Sequence, residues 1–351
     1  MKSRKARSTP TQINRCNGEH HVQSSDTSCD MAPSLNRKLL SMIEGRQTKR
    51  KKLKLIKWLQ KKKLLKAKMK CNLCQHKMKL THKPNKADNY VWSCTRNRHK
   101  GRFKSVRYGS LFAKSKCNLF SWMKFIYRFA QGLQLRQIDM IEDGIAGSSR
   151  TLSSMAKKVR AICKESMKLY ARRKGQMIGQ PREFVMIDES NFRHKRKYGR
   201  GRFAKTWRRR KWVFGMLGVA PRNNKPILKL VHRRSRNHLI PHIVRHVHPG
   251  SSILSDEWRA YRGVLSDLGY NHFPVKHNQC FVDPITGSHT QNLERAWLTY
   301  KGKIWRLRGN RTEDLLKQHL KLIEWTYWLG NRHKNGPLGR LLKDIHRKYH
   351  F

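Results

Sequence analysis

Phe184-Val-Met-Ile-Asp-Glu-Ser190 is four apolar residues running straight into Asp188. Such a run reads as a buried strand with a carboxylate at its end. Burial disfavours the charged form of a carboxylate, so a cation has to meet it: a Lys, an Arg or a metal ion. A turn-capping Asp is the plain alternative for a single residue, but the pattern recurs. Ser251-Ser-Ile-Leu-Ser-Asp256 is a second short apolar run ending in Asp, followed by Glu257, Trp258 and Tyr261. In Gly287-Ser-His-Thr-Gln-Asn-Leu-Glu294-Arg-Ala-Trp297 a polar loop passes into a helical pattern, Leu293, Ala296, Trp297, Tyr300 and Ile304. Ser288 or Thr290 is its candidate cap, and Glu294 lies in its first turns. Two strand-end Asp and a helix Glu suit Mg²⁺, which takes one or two carboxylates and completes its shell with water and phosphate oxygens. Two such ions about 4 Å apart clamp the attacking and leaving oxygens of a phosphoryl transfer.

The charge balance points to the same substrate class. Lys and Arg number 80 against 21 Asp and Glu, a formal net charge of +59. A polyanion is the expected partner, and nucleic acid fits better than a membrane because no apolar run approaches the roughly 20 residues of a span. No apolar signal-peptide core follows Met1-Lys-Ser-Arg-Lys. The eight Cys are irregularly spaced, which argues for a reduced compartment and one metal site; the nucleus, or an undivided cytoplasm, is the expected location.

Five segments follow from composition and periodicity. Residues 1–70 read as a disordered basic tail; within it 1–45 are polar and aperiodic, while 46–70, with Leu53, Leu55, Ile56, Trp58 and Leu59 interleaved among lysines, read as a basic helix or tail that lies on phosphates or as a solvated charge run. Residues 71–115 read as a hairpin held by structural zinc: Cys71-x-x-Cys74, Cys94 and His99 supply a tetrahedral set, with His76 and His82 as competing fourth ligands. Met78–Leu80 and Tyr90–Trp92 are its expected paired strands. Residues 116–172 read as helices, a helix on Leu119–Ala130, a short second one, and a third capped by Ser148 or Ser149. A short helix, a Gly-containing turn and a basic longer helix with Arg150, Lys157 and Lys158 resemble a helix-turn-helix that reads DNA. Cys117 and Cys163 read as core or ordinary helix residues. Residues 182–335 form the α/β domain, and 336–351 a basic tail.

Within the α/β domain the expected order is strand 184–188, strand Trp212–Val219, a turn at Pro221–Lys225, strand Pro226–Val231, a helix capped by Asn237, strand four ending at Asp256, a helix closed by Gly269, strand Asn271–Lys276, and the helix of Glu294. This β-β-β-α-β-α-β-α order, a mixed sheet with flanking helices, is similar to the ribonuclease H-like fold. The basic residues Arg196, Lys197, Arg200, Arg202, Arg208, Arg209, Arg210 and Lys211 are placed to hold backbone phosphates.

Five motifs carry a closer resemblance: Ile187-Asp-Glu-Ser190, Arg196-Lys-Tyr-Gly-Arg-Gly-Arg202, Lys211-Trp-Val-Phe-Gly215, Leu254-Ser-Asp256-x-Trp258 and Phe281-Val-Asp-Pro-x-Thr-Gly-x-His289-Thr-Gln-Asn-x-Glu294. Together with the upstream Cys hairpin they resemble Merlin-type DDE transposases, eukaryotic relatives of a group of bacterial insertion-sequence transposases, over residues 68–348. The resemblance implies cut-and-paste DNA movement with two Mg²⁺ or Mn²⁺ ions and binding to the terminal inverted repeats of the element. It gives Asp188 and Asp256 the first two metal-ligand roles and Glu294 the third, with Asn292 as the stand-in because some bacterial relatives have Asn there. The partners are then double-stranded repeat and target DNA, with a homo-oligomer on the DNA and no membrane. A transposase-derived DNA-binding protein without transposition activity is the alternative. A basic RNA- or chromatin-binding protein is a weaker rival, because it predicts nothing about three spaced carboxylates.

Overall fold

The computed structural model describes residues 34–99, 101–132, 140, 142–192, 212–219, 224–256, 258–275, 291–306 and 312–350. The sheet that carries the two Asp is built from β4 (Phe184–Ser190), β5 (Trp212–Gly218), β6 (Pro226–Val231), β7 (Ser252–Ser255) and β8 (Asn271–Pro274). Its spatial order is β6-β5-β4-β7-β8; β4, β5 and β6 pair antiparallel, while β4–β7 and β7–β8 are parallel. The five strands come in the expected chain order, but β4 continues past the expected end at Asp188 to Ser190, because Glu189 and Ser190 still pair with Phe214 and Val213, and β8 ends at Pro274, short of Lys276.

Both faces of the sheet are covered, as parallel strands require. On β4 the side chains alternate: Met186 belongs to one face, Val185 and Ile187 to the other. The first face packs under α7 (Gln291–Arg306) and α8 (Glu313–Trp325) through Trp297, Tyr300, Ile304, Leu316, Leu320 and Ile323. The second packs against Leu239 and Ile243 of α5 (Arg236–His246) and Leu265 of α6 (Val264–Asp267). The α5 cap is Ser235, two residues before the expected Asn237. This mixed sheet with flanking helices is compatible with a ribonuclease H-like transposase domain.

Upstream, α1 (Ser34–Ile43) and α2 (Lys49–Lys61) correct the expectation of a disordered tail over 1–70: α1 lies where disorder was expected, and α2 takes the helical one of the two readings open for 46–70. Leu35, Leu39, Met42 and Ile43, then Leu55, Ile56 and Leu59, recur at helical spacing and are buried. Lysines on the opposite face keep their charges in water, and Thr48 caps α2 by accepting from the Lys51 N–H. Residues 1–33 of that expected tail lie outside the described residues. A three-stranded antiparallel sheet follows, β1 (Lys79–His82), β2 (Tyr90–Ser93) and β3 (Phe103–Ser105). The first two are the expected pair; β3 is an addition.

Then come α3 (Leu119–Ala130), capped by Asn118, and the long α4 (Ser149–Lys174), capped by Ser148 and stopped at Gly175 with φ 70°. Residues 133–139 and 141 lie outside the described residues, and most of the expected short second helix with them; the Gly-containing turn that should follow it, 143–147, is described, with Gly144 at φ 65°. The buried stripe of α4, Leu152, Met155, Ala156, Val159, Ile162, Cys163 and Met167, packs on α8 and on α9 (Gly336–Tyr349). That last helix corrects the expected basic tail over 336–351: Leu338, Leu341, Leu342 and Ile345 make an i, i+3, i+4, i+7 stripe that is buried against α3 and α4. Its Asp344 accepts from Trp325 Nε1 at 2.8 Å, and Arg340 reaches Ser166 of α4 at 2.9 Å.

Between hairpin and helices sits a buried ion pair. Asp88, in the β1–β2 loop, receives Arg107 through Nε and, at 2.8 Å, through a terminal nitrogen. The same carboxylate accepts the Leu119 N–H at the start of α3 at 2.9 Å, and Arg107 also donates to the carbonyls of Ser115 and Cys117. Both charges are therefore satisfied several times over, the condition under which a buried pair is tolerated.

Candidate active site

The parallel pairing of β4 and β7 runs Phe184↔Ser252, Val185↔Ile253, Met186↔Leu254. Two residues further along the same register come Asp188 and Asp256, at the C-terminal edge of neighbouring strands about 5 Å apart. Ligand sites in open α/β sheets lie at that edge. Asp188 Oδ2 accepts from Trp297 Nε1 at 2.8 Å, and its Oδ1 from the Glu189 N–H at 2.6 Å. Burial raises the Asp188 pKa against these two donors, and the charge of Asp256 pushes the same way. A cation would relieve both effects. Asp256 accepts the Trp258 N–H at 3.3 Å and is half-buried.

Gly215 lies directly opposite Asp188 in the β4–β5 ladder. The Trp297 ring crosses the strand at this point: a Cβ on Gly215 would stand 2.5 Å from Trp297 Cζ2 and closer still to Cη2. The absent side chain is thus what lets the indole lie over the strand and reach Asp188. Trp297 is held from its other sides by Phe192 and Tyr300, with ring centroids 5.7 and 6.1 Å away, both edge-on. Glu294 precedes Trp297 by three residues, so the two share a helix face one turn apart. Trp297 is the core residue the sequence suggests and also the tie that seats the Glu294 helix beside Asp188. Glu294 itself is exposed. The side chain of Asn292 lies outside the described residues, as do Arg196, Lys197, Arg200, Arg202, Arg208, Arg209, Arg210 and Lys211. Arg150 and Lys157 are exposed on α4, while Lys158 is half-buried with Nζ 5.7 Å from the centre of the Trp122 ring.

On the opposite face of β4, Glu189 is fully buried and accepts from Tyr261 Oη and, at 2.7 Å, from Arg234 Nε. Burial raises the Glu189 pKa against these two hydrogen bonds, and burial together with the Glu189 charge raises that of Tyr261. Arg234 reaches round the sheet edge to within 3.8 Å of Asp256 Oδ2. Glu189, Arg234 and Gly215 are not evident as a unit in the sequence. The available signal is alternation: a Glu beside a strand Asp must face the other side, where it needs a buried donor.

Among the described residues the close group of metal-ligating side chains is Cys71, Cys74, Cys94 and His99, with ligand atoms within 4.8 Å of one another. Asp188, Asp256 and Glu294 are not gathered to that degree. Cys71 Sγ is 3.9 Å from His99 Nδ1, and the Cys74 and Cys94 sulfurs are 3.7 Å apart. A tetrahedron with Zn–S near 2.3 Å has edges of about 3.8 Å, so the set fits zinc. Backbone N–H groups of Cys74 and Leu73 aimed at the Cys71 sulfur lower its pKa to about 6, favouring the thiolate that a metal needs. Of the competing ligands, His76 is exposed and His82 packs edge-on against Tyr90. Met69, Met78 and Trp92 form a small core beside the sulfurs.

Comparison with known proteins adds one match. No curated protein matches the chain. Residues 180–325 match the family model described as an ISXO2-like transposase domain. The stretch that carries Asp188, Asp256 and Glu294 thus resembles that domain throughout, which supports a DDE transposase family and a transposase-type function.

Proposed function

We propose that the chain is a Merlin-type transposase that binds the terminal inverted repeats of its element, cuts the DNA at the element end and joins the freed end to target DNA. The observation that carries this reading is the register of β4 and β7, which brings Asp188 and Asp256 side by side, with α7 tied to Asp188 through Trp297. DDE transposases generally use divalent metals, and the hard carboxylate oxygens here suit Mg²⁺ or Mn²⁺. Asp188 and Asp256 would hold two such ions, with Glu294 as the third ligand and Asn292 as its substitute. Bound there, the ions would supply Lewis-acid activation of the attacking oxygen and neutralise charge on the leaving one. The residues' part is positioning: Trp297 and the Glu189 N–H fix both oxygens of Asp188, so the carboxylate needs no reorganisation before it acts.

The hairpin would carry one structural zinc on Cys71, Cys74, Cys94 and His99. The basic loop 196–211 and the exposed face of α4, with Arg150 and Lys157, would bind phosphates of repeat and target DNA. A homo-oligomer on DNA and a nuclear location complete the proposal. The test pairs a cleavage assay in Mg²⁺ or Mn²⁺ with a binding assay in Ca²⁺, both on oligonucleotides of the repeat ends. Asp188→Ala, Asp256→Ala and Glu294→Ala should abolish cleavage and leave binding intact, with Asn292→Ala affected less. Cleavage surviving Asp188→Ala or Asp256→Ala would refute the metal site. Cleavage surviving Glu294→Ala but lost in Asn292→Ala would move the third role. Binding without cleavage by the unaltered chain would favour a transposase-derived DNA-binding protein.

A further inference from the structure

We propose that Arg234 is a substrate-positioning residue, a fixed guanidinium that receives a DNA phosphate beside Asp256. This rests on the carboxylate-site reading above. Arg234 lies three residues beyond β6, yet its side chain crosses the sheet edge past β5 to the ends of β4 and β7. Two aromatic faces hold it, with the guanidinium carbon 4.8 Å from the centre of the Trp212 ring and 4.3 Å from that of Trp258. Trp258 is itself fixed, because its Nε1 donates to the Arg234 carbonyl at 2.7 Å. Arg234 Nε donates to Glu189 at 2.7 Å. A guanidinium clamped in this way loses little freedom when an anion arrives.

Charge placement explains how a cation can stand next to a metal-binding carboxylate. Glu189 is completely buried and pairs with Arg234, so the two are jointly neutral and do not repel an incoming ion. Tyr261 occupies the other Glu189 oxygen, which keeps Glu189 from turning to Asp256's side. The nitrogen facing Asp256 stands 3.8 Å away, beyond a hydrogen bond, so Asp256 is not sequestered. The two side chains are 25% and 27% exposed and open to the same solvent. An anion reaching Asp256 therefore meets an already oriented donor, which suits the phosphodiester of a bound DNA strand.

The experiment compares the unaltered chain with Arg234→Lys, Arg234→Gln, and the double variant Glu189→Gln/Arg234→Gln. The double variant removes both charges together, so no buried carboxylate is left unpaired if the single change fails to fold. Two readouts are taken: Mn²⁺ binding to the free protein by electron paramagnetic resonance, and steady-state nicking of supercoiled plasmid in Mn²⁺. The expected result is unchanged Mn²⁺ binding in all variants. The kcat for nicking should fall on the order of a hundredfold in both Gln variants and less in the Lys variant. Loss of Mn²⁺ binding in step with nicking would overturn the proposal, because Arg234 would then act only by holding Asp256. Unchanged kcat in the folded double variant would also overturn it. An unaltered chain that binds no Mn²⁺ would instead overturn the carboxylate-site reading, and this proposal with it.

Discussion

Gly215→Ala adds a single methyl group, yet it should disable the site. The position has ordinary strand geometry, so the effect is steric and not one of backbone conformation. The new Cβ would stand 2.5 Å from Trp297 Cζ2, and ordinary contact begins at 3.4 Å, so the indole must retreat by about 1 Å. It has little room, because Phe192 and Tyr300 stand against it and its own exposure is 5%. Overpacking of this kind costs about 1–3 kcal/mol. Losing the Trp297 hydrogen bond to the Asp188 carboxylate costs about 1–3 kcal/mol more. The helix that presents Glu294 moves with Trp297, and a misplacement near 1 Å can lower a rate about a hundredfold. The assay is metal-dependent cleavage of a repeat-end oligonucleotide, run beside thermal unfolding. Trp297→Phe in the Gly215→Ala background should recover much of the stability by shrinking the ring, but little of the cleavage, since the donor to Asp188 is gone. A Gly215→Ala chain with unaltered melting and full cleavage would refute the packing argument.

Three further outcomes are expected. At sub-saturating metal, cleavage should have an acid limb above the ordinary carboxylate range, because burial raises the Asp188 pKa and the metal binds the deprotonated form, so activity is lost as pH falls through that raised value; saturating metal should move the limb down, which pH–rate profiles at two metal concentrations read. One zinc per chain should be found by metal analysis, and strong chelation should remove amide-exchange protection from 79–105 while leaving β4 protected; protection of both that survives chelation contradicts the zinc reading. Asp88→Ala should destabilise the protein by about 3–5 kcal/mol in denaturant unfolding, because it strands buried Arg107 and uncaps the Leu119 N–H; a loss under 1 kcal/mol, the size of a surface pair, would count against that.

The sheet and its carboxylates were legible because their signal is local. An apolar run ending in Asp states the strand and the edge it leads to, though β4 itself runs on two residues to Ser190, and the strand–helix alternation states the order. The Cys-x-x-Cys knuckle likewise announces its own chemistry. The helix at 49–61 is masked by its lysines, the one at 34–43 by the polar sequence before it, and the one at 336–349 by the basic residues at its C-terminal end. Their helical spacing was nevertheless present, in Leu55, Ile56 and Leu59 and again in Leu338, Leu341, Leu342 and Ile345. Net charge describes the wet face of such a helix and says nothing of the other. Gly215 was visible only as the end of the Lys211–Gly215 motif, without its role, and Arg234 could not be read at all. The glycine matters only because a tryptophan 82 positions later crosses it, and the arginine only because two tryptophans and a glutamate from three other segments converge on it.

The burial of α9 against α3 and α4 has a consequence for how the chain is made. The apolar stripe on α4 is finished by residue 167, but its cover includes Leu338, Leu341, Leu342 and Ile345. At about 5–20 residues per second, translation leaves that stripe waiting on the order of 10–40 seconds for its partner. Ribosome-bound chains in that interval carry an open apolar face amid dense positive charge, in the presence of RNA. A second helix cover for that stripe, α8, precedes α9 only shortly in synthesis and packs on the same helix.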